Sequence, residues 1–312
     1  MSTCTSASLA LGEPVAATAA TATTWLLIEQ PGPWGAKALR ASRLDPATGG
    51  ALERLAEGTG VRVALIRRPG RHADLHRPRR HRVYVAHTAP GASWIRTAEV
   101  TDPAELGRLD FAALGAGTHS GFGEAYDGAP LALVCTNGKR DQCCAVRGRP
   151  LAAELAASGG SEVWEVTHLG GHRFAPTMLV LPYGYTYGRV DAHHAKDVLE
   201  AARTGRMVLE GCRGRSAWDR PGQAADLAVR ELTGEDRTAA VVVEAVESAA
   251  GEGSWSVRVA HTDGRVWQVA VTQVAGLPPR PESCGAALGT PARMEVTGIE
   301  RVAGGRADDA RS

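Results

Sequence analysis

EVWEVTHLGGHRFAPTMLVLPYGYTYGRV, residues 162–190, holds the pattern that decides the fold. EVWEVTH (162–168) and PTMLVLP (176–182) are apolar runs of strand length. HLGGH (168–172) joins them, with two histidines around a pair of glycines. Glycine costs about 1 kcal/mol in a helix interior relative to alanine, so the pattern favours a bend over a helix. Since glycine accepts positive φ, such a bend can turn both imidazoles to one side.

The flanking sequence completes an α/β unit. LALVC (131–135) is a short buried strand that ends in a cysteine, and RPLAAELAAS (149–158) has helical spacing with proline near its start. DAHHAKDVLEAARTG (191–205) is a helix with an aspartate cap and a closing glycine. Another helix begins near Gly222. The order β-α-β-β-α predicts a compact unit of thioredoxin type, which we expect to span residues 126–236.

The remaining chain divides into three parts. Residues 21–125 are predicted to form an N-terminal α/β lobe, and residues 1–20, rich in Ala and Thr, a loose arm. Residues 237–312 are predicted to form a β-hairpin tail and then a disordered C-terminus, because residues 239–274 alternate in period two around an Asp-Gly turn signal at 263–264. The expected fold class is α/β, with a thioredoxin-like C-terminal domain, this N-terminal lobe and the tail. The lobe's predicted elements are WLLIEQ (25–30), ALERLAEG (51–58), VRVALIRR (61–68) and HRVYVAH (81–87).

Bulk composition excludes several classes of protein. The 312 residues carry a formal net charge of +1, so no overall field points to nucleic acid or an anionic membrane. No apolar stretch is long enough to span a bilayer, and the absence of Lys or Arg before Lys37 argues against a secretory signal. We therefore expect a cytoplasmic protein. Because cytosolic thiols usually stay reduced, the six cysteines are expected to be ligands, redox thiols or core residues.

Candidate metal ligands gather in the α/β unit. Cys135 ends a strand, Cys143 and Cys144 close the loop CTNGKRDQCC, and His168 and His172 follow the next strand. In open α/β sheets, sites form at the carboxyl ends of strands. The cysteine spacing differs from the two to four residues usual for zinc pairs and from a redox CxxC motif. Two thiolates with two imidazoles is a ligand set known for [2Fe–2S] clusters.

These residues resemble a known family. Four stretches are similar to the sucrase/ferredoxin-like proteins, a group of thioredoxin-like ferredoxins. They are CTNGKRDQCCA, WEVTHLGGHRFAPTMLVLPYGYTYGRV, RGRSAWDRPGQAA and WLLIEQPGPWG. The similarity runs from about Trp25 to Arg230. It implies a [2Fe–2S] cluster ligated by two cysteines and two histidines. The implied ligands are Cys135, Cys144, His168 and His172, with Cys143 as the alternative to Cys144.

The predicted function is single-electron transfer by an iron–sulfur protein. We expect a non-enzymatic carrier with a redox partner such as a flavoprotein reductase, and no carboxylate pair supports sucrase activity. A structural or hydrolytic zinc site and a thiol–disulfide redox protein using Cys143 and Cys144 are the alternatives. The arginine-rich stretch 67–82 could bind nucleic acid or an acidic partner, but we favour a solvated loop because it lacks aromatic residues. Cys4, Cys212 and Cys284 are expected to be isolated free thiols.

Overall fold

The computed structural model describes residues 3–70, 79–159 and 162–303. Residues 71–78, in the middle of the predicted arginine-rich loop, and residues 304–312, in the tail predicted to be disordered, lie outside the described residues. The helices are α1 (Cys4–Ala10), α2 (Pro46–Ala56), α3 (Phe111–Gly115), α4 (Gln142–Ala157), α5 (Ala192–Arg203) and α6 (Arg220–Thr233), with 3-10 turns at Pro103–Arg108 and His172–Phe174. The strands are β1 (Thr24–Glu29), β2 (Val61–Arg67), β3 (His81–His87), β4 (Trp94–Val100), β5 (Glu124–Ala125), β6 (Leu131–Cys135), β7 (Val163–Val166), β8 (Thr177–Leu181), β9 (Tyr185–Gly188), β10 (Cys212–Arg215), β11 (Val241–Ser248), β12 (Ser254–His261), β13 (Val266–Ala275), β14 (Arg280–Pro281), β15 (Leu288–Gly289) and β16 (Ala292–Val302).

Ten strands form one mixed sheet in the order β10-β9-β8-β6-β7-β2-β1-β3-β4-β5. β1 pairs in parallel with β2, and β6 with β7, and in each pair a helix provides the crossover that parallel strands need. The sheet therefore contains two units of the same topology, β2-β1-β3-β4 and β7-β6-β8-β9. They join where β2 pairs antiparallel with β7. The predicted α/β class with a C-terminal strand region is confirmed.

Alternate residues of β6 enter two different cores. Leu131, Leu133 and Cys135 join a core that also contains side chains from β1, β2 and β3, so it is common to both units. Ala132 and Val134 face the opposite side, against α4 and α5. A strand buried on both faces explains why LALVC has no polar residue. Its register leaves Cys135 pointing into the core that the two units share.

Helix α4 begins earlier than the predicted stretch 149–158. Asp141 caps it, because its side chain accepts a hydrogen bond from the backbone N–H of Cys143 at 2.9 Å. Pro150, taken from the sequence as a start signal, lies inside the helix, where its missing N–H removes one backbone hydrogen bond. The earlier start places Cys143 and Cys144 in the first turn of the helix.

The N-terminal segment differs from the loose arm that its composition predicted. Helix α1 begins with a capping box on Thr3, and Cys4 and Ala17 are buried. The N–H of Thr18 donates to the carbonyl oxygen of Arg213 at 3.0 Å. Small side chains allow this backbone to approach β10 closely, so the described residues of the arm pack against the α/β unit.

The C-terminal region forms a second sheet. The hairpin predicted at residues 263–264 is present between β12 and β13, with Gly264 at φ +89°. Strands β11 and β16 flank it in the order β11-β12-β13-β16, and helix α6 packs on the sheet. Among the described residues, no helix combines the length and apolarity that crossing a membrane requires.

Candidate metal centre

The parallel pairing of β6 and β7 sets the position of the candidate centre. Cys135 is the last residue of β6, and His168 follows the end of β7. Since parallel strands end at the same edge, both residues lie at the carboxyl edge of the sheet. The loop after β6 returns to this edge through the first turn of α4, which brings Cys144 next to Cys135 in the shared core.

The HLGGH loop turns its two imidazoles to the same side, as the glycine pair predicted. Gly170 and Gly171 have φ of +79° and +68°, in the left-handed region that favours glycine. A 3-10 turn then starts at His172. The rings of His168 and His172 stack with centroids 4.3 Å apart and an interplanar angle of 23°. Leu169 between them is buried against the core.

The four predicted ligands form one group of contacts. Cys144 Sγ lies 3.5 Å from His172 Nδ1, and Cys135 Sγ lies 3.1 Å from the carbonyl oxygen of Thr167. Hydrogen bonds from the Cys144 thiol and the His168 ring hold the pKa of Cys135 well below its usual value, against the opposing effect of burial. Two thiols and two imidazoles thus converge from three separate stretches of chain.

Burial also fixes the protonation state of one histidine. It lowers the pKa of His172 to about 4, with a smaller contribution from His168. The ring is therefore neutral at pH 7, which is the form that binds a metal. The pKa of Cys144 is raised, because its thiol donates to Cys135 and because it is buried. Cys135 is thus the thiol of the pair that loses its proton more readily, and His172 has the neutral ring that a metal binds.

One buried and one half-buried arginine support the loop and bring positive charge to it. Arg213 is 0 % exposed and donates from Nη1 to the carbonyl oxygen of Gly170 at 3.0 Å and from Nη2 to that of Thr18. Its pKa is lowered to about 9 by burial. Arg62 donates from Nη2 to the carbonyl oxygen of His168 at 3.0 Å. Nothing in the apolar pattern of β2 singles out Arg62 as a residue of the site.

Three cations that flank the candidate ligands in sequence differ in their exposure. Lys139 and Arg140 are exposed. Arg173 is buried, and its Nε lies 2.9 Å from Glu13 Oε1. Its charge is thus neutralised by a residue of the N-terminal segment. Of these three, only Lys139 and Arg140 present charge to a partner at the surface.

The vicinal cysteines face different neighbours. Cys144 belongs to the core with Cys135, whereas Cys143 lies with Cys4 and Cys284, in a group of three thiols that we call the thiol cluster. The expectation that Cys4 and Cys284 are isolated was wrong, although both are free cysteines. Cys212 is buried in a different core, among apolar side chains of α5 and α6.

The donor chemistry suits an iron–sulfur cluster. Four donors of two types lie at one buried edge, and two of them are thiols, which iron–sulfur clusters require. Asp141, Cys144 and His172 also place one ligand atom each within 4.8 Å of one another, a spacing that could hold a metal ion. The residues present therefore fit a metal-containing group at this edge of the sheet.

Comparison with known proteins gives one match. The model of the Sucrase/ferredoxin-like family matches residues 15–214, which is more than half of the chain. No curated protein and no solved structure matches the chain. The matched range contains all four candidate ligands and both units of the ten-stranded sheet, but it excludes the thiols of Cys4 and Cys284. The chain belongs to the sucrase/ferredoxin-like family.

Proposed function

We propose that this sucrase/ferredoxin-like protein is an electron-transfer protein, with a [2Fe–2S] cluster held by Cys135, Cys144, His168 and His172. The observation that carries the proposal is the convergence of two thiols and two stacked imidazoles at one sheet edge. A histidine pair that served only to fill a core would have no reason to meet two cysteines from a different strand and helix. The family match supports the same set, since all four residues lie inside it.

When bound, the cluster would accept and release single electrons, at a potential raised by its two neutral ligands. The chain contributes the setting. Arg213 and Arg62 bring positive charge near the sulfurs through the backbone of the HLGGH loop, and such outer contacts tune a metal site. Leu169 is buried and keeps water from the inner side of the loop.

His168 provides the route to solvent. It is only half-buried, whereas His172 and both cysteines are buried. We propose that a redox partner, such as a flavoprotein reductase, approaches over His168 in the cytoplasm. Exposed Lys139 and Arg140 lie in the loop that carries the cysteines and would favour a partner with an acidic face. The chain would act as a carrier, and no residue is assigned a catalytic role.

The vicinal cysteines allow a sharp experiment. Full-length protein is purified anaerobically, iron and acid-labile sulfide are measured, and an electron paramagnetic resonance spectrum is recorded after reduction. Cys144→Ser should lose the visible absorption and the iron, whereas the neighbouring Cys143→Ser should keep both. A colourless wild-type protein without labile sulfide would refute the cluster. Loss of colour in Cys143→Ser with retention in Cys144→Ser would exchange the assignment of the ligand.

A single zinc ion at the same four residues is the second candidate. The 3.5 Å between Cys144 Sγ and His172 Nδ1 matches two donors on one tetrahedral ion. Zinc bound there would be lost from Cys144→Ser, and the protein would have no colour and no sulfide. The same purification therefore separates the two candidates. A thiol–disulfide role for Cys143 and Cys144 has less support, because the two thiols face different groups of residues.

A further inference from the structure

The thiol cluster brings together three cysteines that are far apart in sequence. Cys4 begins α1, Cys143 lies in the first turn of α4, and Cys284 lies between β14 and β15. Their Sγ atoms are 3.6 Å apart for Cys4 and Cys143, 3.6 Å for Cys4 and Cys284, and 3.1 Å for Cys143 and Cys284. Cys4 and Cys143 are buried and Cys284 is half-buried.

Asp141 organises this cluster. Its Oδ1 accepts from the backbone N–H of Cys143 at 2.9 Å, and its Oδ2 accepts from that of Cys284 at 2.8 Å. The same two oxygens lie 3.9 and 3.8 Å from Cys4 Sγ. One buried carboxylate therefore fixes two of the three segments and faces the thiol of the third. The ligand atoms of Asp141 and the three cysteines all lie within 4.8 Å of one another.

We propose that Cys4, Cys143, Cys284 and Asp141 form a second metal site, which binds one Zn²⁺ ion. With Zn–S bonds of about 2.3 Å, two sulfurs on a tetrahedral ion lie about 3.8 Å apart. The two separations that involve Cys4, 3.6 Å each, are close to this, and the 3.1 Å between Cys143 and Cys284 would widen when an ion enters. Sulfurs that ligate different irons of a cluster lie farther apart than sulfurs on one ion, so these three suit a single ion. Thiolate ligands also select zinc over the hard cations that carboxylates alone would take.

The site would fasten two segments that lie outside the family match. Cys4 precedes residue 15 and Cys284 follows residue 214, while Asp141 and Cys143 lie inside the matched range. The same two segments meet again at an ion pair of 2.6 Å between Arg280 and Glu13. Two independent contacts thus bring the N-terminal segment and the stretch after β13 to the start of α4.

The position of α1 links this site to the candidate centre. Thr5 Oγ1 donates to the carbonyl oxygen of His172 at 3.1 Å, so the helix that carries Cys4 lies directly over the HLGGH loop. Zinc bound at Cys4 would hold that helix in place and keep solvent from His172. The proposal stands on the thiol geometry and holds whether the first site contains a cluster or another metal.

Metal analysis of matched variants tests the site. Full-length protein is expressed with iron and zinc supplied, and both metals are measured in the wild type and in four variants, Cys4→Ser, Cys284→Ser, Cys144→Ser and Cys212→Ser. Cys4→Ser and Cys284→Ser should lose about one zinc per chain and keep their iron. Cys212→Ser, a buried thiol outside both groups, should keep both metals. Zinc retained in Cys4→Ser and Cys284→Ser, or lost only from Cys144→Ser, would overturn the proposal.

Thiol protection in the wild type provides a measurement that needs no folded variant. Alkylation followed by mass spectrometry should leave Cys4, Cys143 and Cys284 unmodified until a zinc chelator is added. Cobalt supplied in place of zinc should then give the visible absorption of a tetrahedral thiolate complex, which Cys4→Ser should lack. A disulfide between Cys143 and Cys284 in freshly purified protein, or alkylation of Cys284 that is equally fast with and without the chelator, would contradict the site.

Discussion

Alanine at Gly171 should damage the candidate centre far more than alanine at its neighbour Gly170. Both residues have positive φ, +68° and +79°, so a methyl group at either position strains the backbone. Their surroundings differ. A Cβ on Gly171 would overlap the guanidinium group of Arg213, whereas a Cβ on Gly170 would meet only the methyl of Ala20 at 3.9 Å.

The two changes differ in expected magnitude. A left-handed alanine costs about 1–2 kcal/mol, which is the whole expected loss for Gly170→Ala. In Gly171→Ala the guanidinium must also move, and at 0 % exposure it has no solvent to move into. Its bonds to the carbonyls of Gly170 and Thr18 would weaken, and a hydrogen bond from a charged group contributes roughly 1.5–3 kcal/mol. The total for Gly171→Ala is therefore roughly 2.5–5 kcal/mol.

Urea denaturation and iron analysis together test this prediction. Gly170→Ala should unfold at a slightly lower urea concentration and keep its iron, while Gly171→Ala should unfold much earlier and purify with little iron. Arg213→Met in the Gly171→Ala background should recover part of the difference, because it removes the overlap. Equal losses of stability and iron in Gly170→Ala and Gly171→Ala would show that the guanidinium contact does not hold the loop.

Three further changes test separate parts of the structure. Gly148→Ala places a methyl against the backbone carbonyl at the end of β6, so it should push α4 away and lower the iron content. The control Gly50→Ala in α2, whose new methyl has no neighbour nearer than 3.5 Å, should fold normally. Circular dichroism and iron analysis that gave the same result for both variants would contradict this prediction. His168→Cys and His172→Cys each replace a neutral ligand by a thiolate, so both should lower the reduction potential in a spectroscopic redox titration, and an unchanged potential would argue against histidine ligation. Burial lowers the pKa of His87, so the unfolded chain takes up a proton first, and the free energy of unfolding should fall as the pH drops below about 6.5. Urea denaturation at pH 7.5 and at pH 5.5 should show a smaller loss of stability in His87→Gln than in the wild type. An equal loss in the two proteins would refute the prediction.

Local patterns were sufficient for most of the elements that position the candidate centre. LALVC and PTMLVLP are strands because their apolar runs are buried on both faces, and the aspartate cap and closing glycine of α5 are where the sequence placed them. HLGGH bends because adjacent glycines adopt positive φ. These features depend on residues within a few positions of one another, and such signals are visible in a single sequence.

Contacts between distant segments were not visible in the same way. Cys4 and Cys284 have no motif around them, and they meet only because α1 and the stretch after β14 pack on the start of α4. Arg62 reaches His168 from a strand whose apolar pattern gives no reason for a cation. Periodicity describes one element at a time, whereas these contacts depend on how elements are arranged in the fold.

The sheet contains a repeat that the sequence does not show. Its two units have the same strand order and directions, yet no stretch of one resembles the other at a fixed period. In each unit a long connection follows the second strand: residues 68–80 after β2, and HLGGH with its flanks after β7. The arginine-rich stretch and the histidine loop therefore hold equivalent places in the topology.

The first turn of α4 explains how one short stretch can serve two groups of ligands. Successive residues of a helix point in directions about 100° apart, since 3.6 residues complete a turn. Cys143 and Cys144 therefore point to different sides of the helix. Cys143 Sγ lies 3.1 Å from Cys284 Sγ, whereas Cys144 lies with Cys135 in the shared core. Asp141 holds that turn in place through the N–H of Cys143. A change that shifts the helix start should disturb both groups of ligands at once, whereas a change at Cys4 should disturb only one.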